Sequence, residues 1–204
     1  VVQPLVIDNV APGEHVPSAD GRVVISGLSW AQFEAMVTLR GDRSAPRLAY
    51  LEGTLELMSP SRHHERIKGL LGHLVGVFAE ERQLQVWSYG AWTLRHDART
   101  TAVEPDDCFI IGDQTRARPD LAIEIEWTRG GIDKLEIYRR LGVPEVWWWR
   151  DGLVAIYVLE ADGYAARAAS AVLPGFPMAL ATELVDAPSL ADAMRTFRRA
   201  LHAG

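Results

Sequence analysis

Apolar and polar positions alternate along the chain with two different periods, and the switches between them mark its elements. Ser29 and Gln32 make a capping box ahead of a helical pattern that Gly41 closes, which predicts a first helix. Residues 47–58, RLAYLEGTLELM, predict a hairpin turning at Glu52-Gly53. Ser59-Pro60-Ser61 interrupts the pattern. Ile67, Leu70, Leu71, Leu74, Val75 and Phe78 then fall at helical spacing and predict a long helix from His63 to Gln83 with one buried stripe. Strands are expected over 85–95, 103–111 and 119–127. A helix is expected over 131–141, ending at Gly142. Residues 145–150 and 153–159 pair as a second hairpin across Asp151-Gly152, a strong turn signal. A weaker strand over 163–170 and a C-terminal helix from Ser189 complete the order.

Strands and helices in this order predict an α/β fold, a mixed sheet flanked by helices, in one domain over 23–204. Residues 1–22, rich in Pro, Gly and polar groups, read as an extended arm. A chain of 204 residues suits a single large domain, and 48% apolar content supplies a core and argues against disorder. No apolar run nears the ~18 residues that a membrane span needs. The first residues lack the basic-then-apolar pattern of a signal peptide, so a cytoplasmic setting is expected. Cys108 stands alone, which leaves this chain without an internal disulfide or a thiolate metal cluster.

Charge narrows the chemistry. A net charge of −6 opposes strong nonspecific binding to nucleic acid, which depends on Lys and Arg neutralising phosphates, but leaves room for a local basic rim. Apart from Lys68 and Lys134 the basic side chains are arginines, whose planar fork can bond two phosphate oxygens at once. GC-rich coding produces the same bias.

Candidate chemistry lies in two stretches, EPDDCFII at 104–111 and PDLAIEIEW at 119–127. On a strand, Leu121, Ile123, Ile125 and Trp127 share one face, and Asp120, Ala122, Glu124 and Glu126 share the other. Asp106, on a neighbouring strand, can approach Glu124. Clustered carboxylates repel unless a proton, a cation or a metal offsets them, and oxygen donors of this kind suit Mg²⁺ or Mn²⁺. The same alternation also describes the solvated polar face of an edge strand. Lys134 and Tyr138, four residues apart, stand on one face of the following helix and can be aimed at the acids. A solvated Lys beside a core-edge Tyr would be spaced identically. Trp147 and Trp149 face one way and Trp148 the other, which suits core packing or a homodimer surface.

These stretches, with DKLEIYRRLGVPEVWWW at 133–149 and LEGTLELMSPSRHHERI at 51–67, resemble the Uma2 family of the PD-(D/E)XK nuclease superfamily. The resemblance covers roughly residues 30–160. It implies a restriction-endonuclease-like core with an acidic Mg²⁺ or Mn²⁺ site that hydrolyses phosphodiester bonds, DNA being the favoured substrate. It places Asp106 as the first catalytic acid and Glu124 as the acid of the Glu-x-Lys element. Glu126 stands where the wider superfamily has its Lys, a departure for which Lys134 is the substitute, and Tyr138 completes the pair. Glu126, Asp120 and Glu52 are further candidate ligands. His64 matches the family His, with capping or packing as its other role. Arg62, Arg66, Arg116, Arg118 and Arg129 are candidates for flanking phosphates. A catalytically inactive binding protein on the same fold is the alternative. Walker A, Gly-x-Ser-x-Gly, His-Glu-x-x-His and dinucleotide-binding patterns are missing from the sequence.

Overall fold

The structure, a computed structural model, describes residues 19–96 and 98–203. Two sheets and five helices make up this part of the chain. Strand β1 (Gly21–Ser26) pairs with β3 (Thr54–Ser59), which forms a hairpin with β2 (Arg47–Leu51) around Glu52-Gly53. Strands β4 (Val86–Ser88), β5 (Leu94–Arg95), β6 (Thr101–Val103) and β7 (Asp107–Ile111) follow. The first sheet has the order β1-β3-β2-β6-β5 and is antiparallel throughout.

The second sheet is mixed. It adds β8 (Leu121–Glu126), β9 (Glu145–Arg150), β10 (Leu153–Glu160) and β11 (Gly163–Arg167), in the order β11-β10-β9-β8-β7-β4. Its parallel pair, β8 with β9, is joined by a crossover through α3 (Lys134–Leu141), the connection that parallel strands require. The expected mixed sheet is therefore present, with a second sheet beside it. Two segments expected as continuous strands, 85–95 and 103–111, are each broken in two and divided between the sheets. Gly90 at φ 56 turns the first break, and Glu104-Pro105-Asp106 carries the chain across at the second.

Helix α1 (Trp30–Arg40) starts at the Ser29 capping box and stops at Gly41, as the sequence pattern predicts. Phe33 drives it onto the first sheet, against Leu48, Tyr50 and Leu55. Helix α2 (Arg62–Glu81) is capped by Ser61, whose side chain accepts from the His64 amide. Its stripe of Ile67, Leu71, Leu74 and Phe78 packs on Leu121, Ile123 and Ile125 of β8. Helix α5 (Leu190–Ala203) closes that core with Phe197 and Leu201. A short helix α4 (Met178–Glu183) and a 3-10 turn (Leu184–Asp186) lie between, unannounced by any periodicity in so few residues. The opposite face of the mixed sheet buries Ala122 and Val146 against Ile137, Tyr138 and Leu141 of α3. Helix α3 begins three residues later than the pattern suggests, because Gly130 and Gly131 both take positive φ and Asp133 supplies the cap.

Strand β1 starts inside the stretch expected to be an arm: Gly21 and Arg22 are its first residues, and Asp20 is buried. The remainder of that stretch, residues 1–18, lies outside the described residues. Among the described residues no helix is long and apolar enough to cross a membrane.

Leu71 is fully buried between α2 and β8. Leu71→Ala is expected to lower the unfolding free energy by about 2–5 kcal/mol, the range for a core leucine that leaves a cavity. Urea denaturation followed by circular dichroism measures it, and a loss under about 1 kcal/mol would mean that this core is not close-packed.

Candidate active site

The two sheets separate where β7 ends and β8 runs on. Pairing stops near Asp107↔Ile123, so the Ile125 amide has no strand partner there. Asp106, one residue before β7 rather than on it, fills the gap: its Oδ2 accepts from Ile125 N at 2.7 Å. Its Oδ1 takes an ion pair from Arg47 at the start of β2, and His64 Nε2 stands 3.0 Å away. His64 in turn holds Asp20 through Nδ1 at 3.2 Å. Arg47 also bonds Glu65 at 2.7 Å. Asp106 is 1% exposed and His64 0%.

Burial opposes the charge on Asp106, but the His64 hydrogen bond and the Arg47 guanidinium overcome it and hold the carboxyl well below its usual range. Burial likewise opposes charge on His64, and its bonds to Asp106 and Asp20 push it up to about 9. The ring is thus an imidazolium at neutral pH, donating to an acid from each nitrogen.

Glu124, 2% exposed, points to the other face of β8. Lys134 Nζ donates to its Oε2 at 2.7 Å, and the Tyr138 hydroxyl donates to its Oε1. The one-turn spacing on α3 thus brings both side chains to a single carboxylate. Burial pushes Glu124 up despite the Lys134 charge, and Asp106 nearby adds to the rise. Burial works against the charge of Lys134, but Glu124 keeps its ammonium favoured. Tyr138 is pushed well above its ordinary value, by burial first and then by Glu124.

Glu56 on β3 is a member of this group that the sequence pattern did not reveal. It is buried, its Oε2 accepts from Ile132 N at 3.2 Å, and its Oε1 lies 4.0 Å from Lys134 Nζ. Gly131 passes so close that a Cβ there would fall 2.0 Å from Glu56 Oε2, and its φ is +110. Arg22 approaches Glu56 at 3.5 Å and also donates to the Thr128 and Gly130 carbonyls, tying the glycine loop over the group. A cavity of about 20 Å³ remains, lined by Glu56, Glu124, Glu126, Lys134 and Arg22 among others. That is room for one water or one ion. Arg22, Arg47, Asp20 and Glu65 also escaped the sequence reading. Their sole signal was charge within otherwise apolar or turn-rich segments.

Asp106, Glu124, Lys134, Tyr138 and His64 therefore come together. Glu126 lines the small cavity, but its carboxylate is engaged by Arg150 and by Trp148 Nε1. Asp120 sits at the opposite end of β8, bonded to Ile111 N at 2.8 Å and paired with Arg116. Glu52 lies at the β2–β3 turn, exposed and paired with Arg140. Of the arginines, Arg66 reaches Val185 O, Arg118 reaches Leu141 O and Arg129 pairs with Asp151. Arg62 is exposed at the start of α2.

The buried carboxylates are hard oxygen donors of the kind Mg²⁺ and Mn²⁺ take. As they stand, no three His, Cys, Asp or Glu side chains among the described residues are placed to share a metal ion. The fit is therefore one of donor type: a divalent cation would take the place of Arg47 at Asp106 or of Lys134 at Glu124.

The Uma2 family, described as "Putative restriction endonuclease", matches residues 30–186. No curated protein matches the chain. Among solved structures, the chain is similar to a protein of Anabaena variabilis described as "a putative nuclease belonging to DUF820". The identity is 17%, the match covers 83% of this chain and 99% of that one, and the TM-score is 0.49.

Removing one partner of a buried ion pair strands the other charge, at a cost of about 3–5 kcal/mol. Arg47→Met is expected to destabilise the fold by that amount in urea titrations at pH 7. Adding Asp106→Asn should restore part of the loss. If the single substitution costs under about 0.5 kcal/mol, Arg47 does not hold Asp106.

Proposed function

The chain belongs to the Uma2 family, and from that premise we propose that it is a metal-dependent endonuclease hydrolysing phosphodiester bonds of nucleic acid, DNA in the first place. The observation that carries the reading is the convergence of Asp106, Glu124 and Lys134, all buried, at the fork between β7 and β8. Asp106 and Glu124 would hold the cation, with Glu56, which lines the same small cavity as Glu124, a further acid. A bound Mg²⁺ or Mn²⁺ supplies a Lewis acid for the phosphate and lowers the pKa of an attacking water.

The side chains divide the remaining work. Asp106 is held below its usual range by His64 and Arg47, so it would present a carboxylate to the cation. Glu124 would meet the cation with Lys134 and Tyr138 orienting its two oxygens. Lys134 stays cationic beside it and offers its charge to a nonbridging phosphate oxygen once Glu124 is protonated or engaged elsewhere. Tyr138 remains a neutral hydroxyl and fixes the Glu124 carboxylate in place. The glycine loop, tied down by Arg22, covers the small cavity beside these groups.

The complete protonic pairing of Asp106 and Glu124 favours a second reading, a nucleic-acid-binding protein that does not cut. One assay separates the two. Supercoiled and single-stranded DNA are incubated with the protein in Mg²⁺, Mn²⁺ or EDTA. The nuclease reading expects metal-dependent cleavage that Asp106→Asn and Glu124→Gln abolish. Lys134→Met should lower the rate about 10²–10³-fold, the cost of losing one electrostatic contact to the transition state. Cleavage that survives Asp106→Asn would sink the site assignment, and its absence on every substrate would favour the non-cutting protein.

A further inference from the structure

Away from the acidic group lies a larger cavity, of about 460 Å³, at the C-terminal end of α3. Its walls come from the β4–β5 connection (Trp92), from β5 and the residue after it (Arg95, His96), from the loop before β8 (Arg118) and from α3 itself (Arg140). The volume lies within the usual range for small-ligand sites. Three guanidinium groups and an aromatic ring around one opening are the donors that recognise a phosphate joined to a base.

The three arginines differ in how firmly they are held. Arg140 is engaged by Glu136 and Glu52. Arg95 pairs with Glu34 at 3.2 Å, and both side chains are about two-fifths exposed. An exposed pair of this kind gains little and opens readily. Arg118 donates to the Leu141 carbonyl at 3.0 Å and has no carboxylate partner among the described residues. That contact offsets the negative end of α3, which would otherwise repel an anion. Trp92 is half-buried: it packs against the apolar cluster around Tyr138 and also forms part of the cavity wall.

We propose that this cavity is a nucleotide subsite, with a phosphate held by Arg118 and Arg95 and an unpaired base laid against Trp92. The strand's identity rests on the nuclease reading. Arg140, in the cavity wall, stands six residues after Lys134 on the same helix. At 1.5 Å per residue that is about 9 Å along the axis. At 3.6 residues per turn the two side chains leave α3 about 120° apart, so a strand that reaches both would bend around the end of this helix. The subsite would also help an acidic chain hold a polyanion, since Arg118 has no carboxylate partner among the described residues and the exposed Arg95–Glu34 pair opens readily.

The test is a set of titrations of the full chain in EDTA, so that metal binding cannot contribute, followed by calorimetry. The probes are deoxyadenosine monophosphate, deoxyadenosine, inorganic phosphate and a single-stranded octanucleotide. The monophosphate is expected to bind about tenfold more tightly than either fragment, because each fragment lacks one of the two contacts. Arg118→Gln should weaken both the monophosphate and the octanucleotide about tenfold, and Arg95→Gln should weaken them less. Trp92→Leu should remove the preference over inorganic phosphate. Arg195→Gln, on the exposed side of α5, should change nothing. Monophosphate binding that is absent, or equal in wild type and Arg118→Gln with both folded by circular dichroism, overturns the subsite. Weakening of the monophosphate but not the octanucleotide overturns the strand and leaves a free-nucleotide site. DNA cleavage with no such binding would sink the subsite alone. Binding with these preferences in a protein that cuts nothing would sink the nuclease reading alone.

Discussion

Asp106 carries a negative charge out of water at the point where the two sheets diverge, and the elements around it are arranged to make that tolerable. Each contact comes from a different part of the chain: Arg47 from β2, His64 from α2, the Ile125 amide from β8, and Asp20 behind His64. A buried carboxylate costs several kcal/mol unless charge and hydrogen bonds surround it. The Ile125 amide comes with the β7–β8 pairing, but the full set is in place only when the first sheet, the mixed sheet and α2 have docked. The charge therefore favours one mutual placement of three substructures, and alternatives that leave Asp106 half-satisfied are penalised.

The same constraint separates the roles of two acids. Asp106 and Glu124 are both buried and close enough for one charge to act on the other, yet their environments push them in opposite directions. Asp106 meets an arginine, an imidazolium and a backbone amide. Glu124 meets one ammonium, one neutral hydroxyl and the field of Asp106. Carboxyls driven apart in this way can take different roles in one site, and the opposite directions follow from the contacts alone, before any cation is considered.

Most of the local structure was legible in the sequence. The Ser29 box, the Asp151-Gly152 turn and the α2 stripe each depend on a few adjacent residues, and each appears where the pattern puts it. Lys134 and Tyr138 could be paired because helical spacing fixes their shared face. Glu56, Arg47 and Asp20 could not be found this way. They reach the site through register: Glu56 is positioned by β1 and β2 pairing on either side of β3, which no local window contains. The division of 85–95 and 103–111 between sheets was hidden for the same reason, since each half has strand character and only long-range pairing separates them. Asp120 shows the opposite error. Alternation put it on the face of Glu124, but four residues of strand span about 13 Å, too far for one site.

The acidic balance of the chain acquires a structural meaning from these contacts. Net charge alone argues against a polyanionic substrate. Yet several arginines are already engaged: Arg47 is buried, and Arg40 and Arg22 are half-buried, in ion pairs that position the sheets and the glycine loop. Counting cations therefore misjudges the surface. On the proposed reading, attraction is left to a few exposed groups such as Arg62 and Arg118, while the buried ones set geometry. A nucleic-acid partner would then bind with a shallow dependence on salt, because few phosphates are neutralised, and would owe its placement to shape and to base contacts more than to charge.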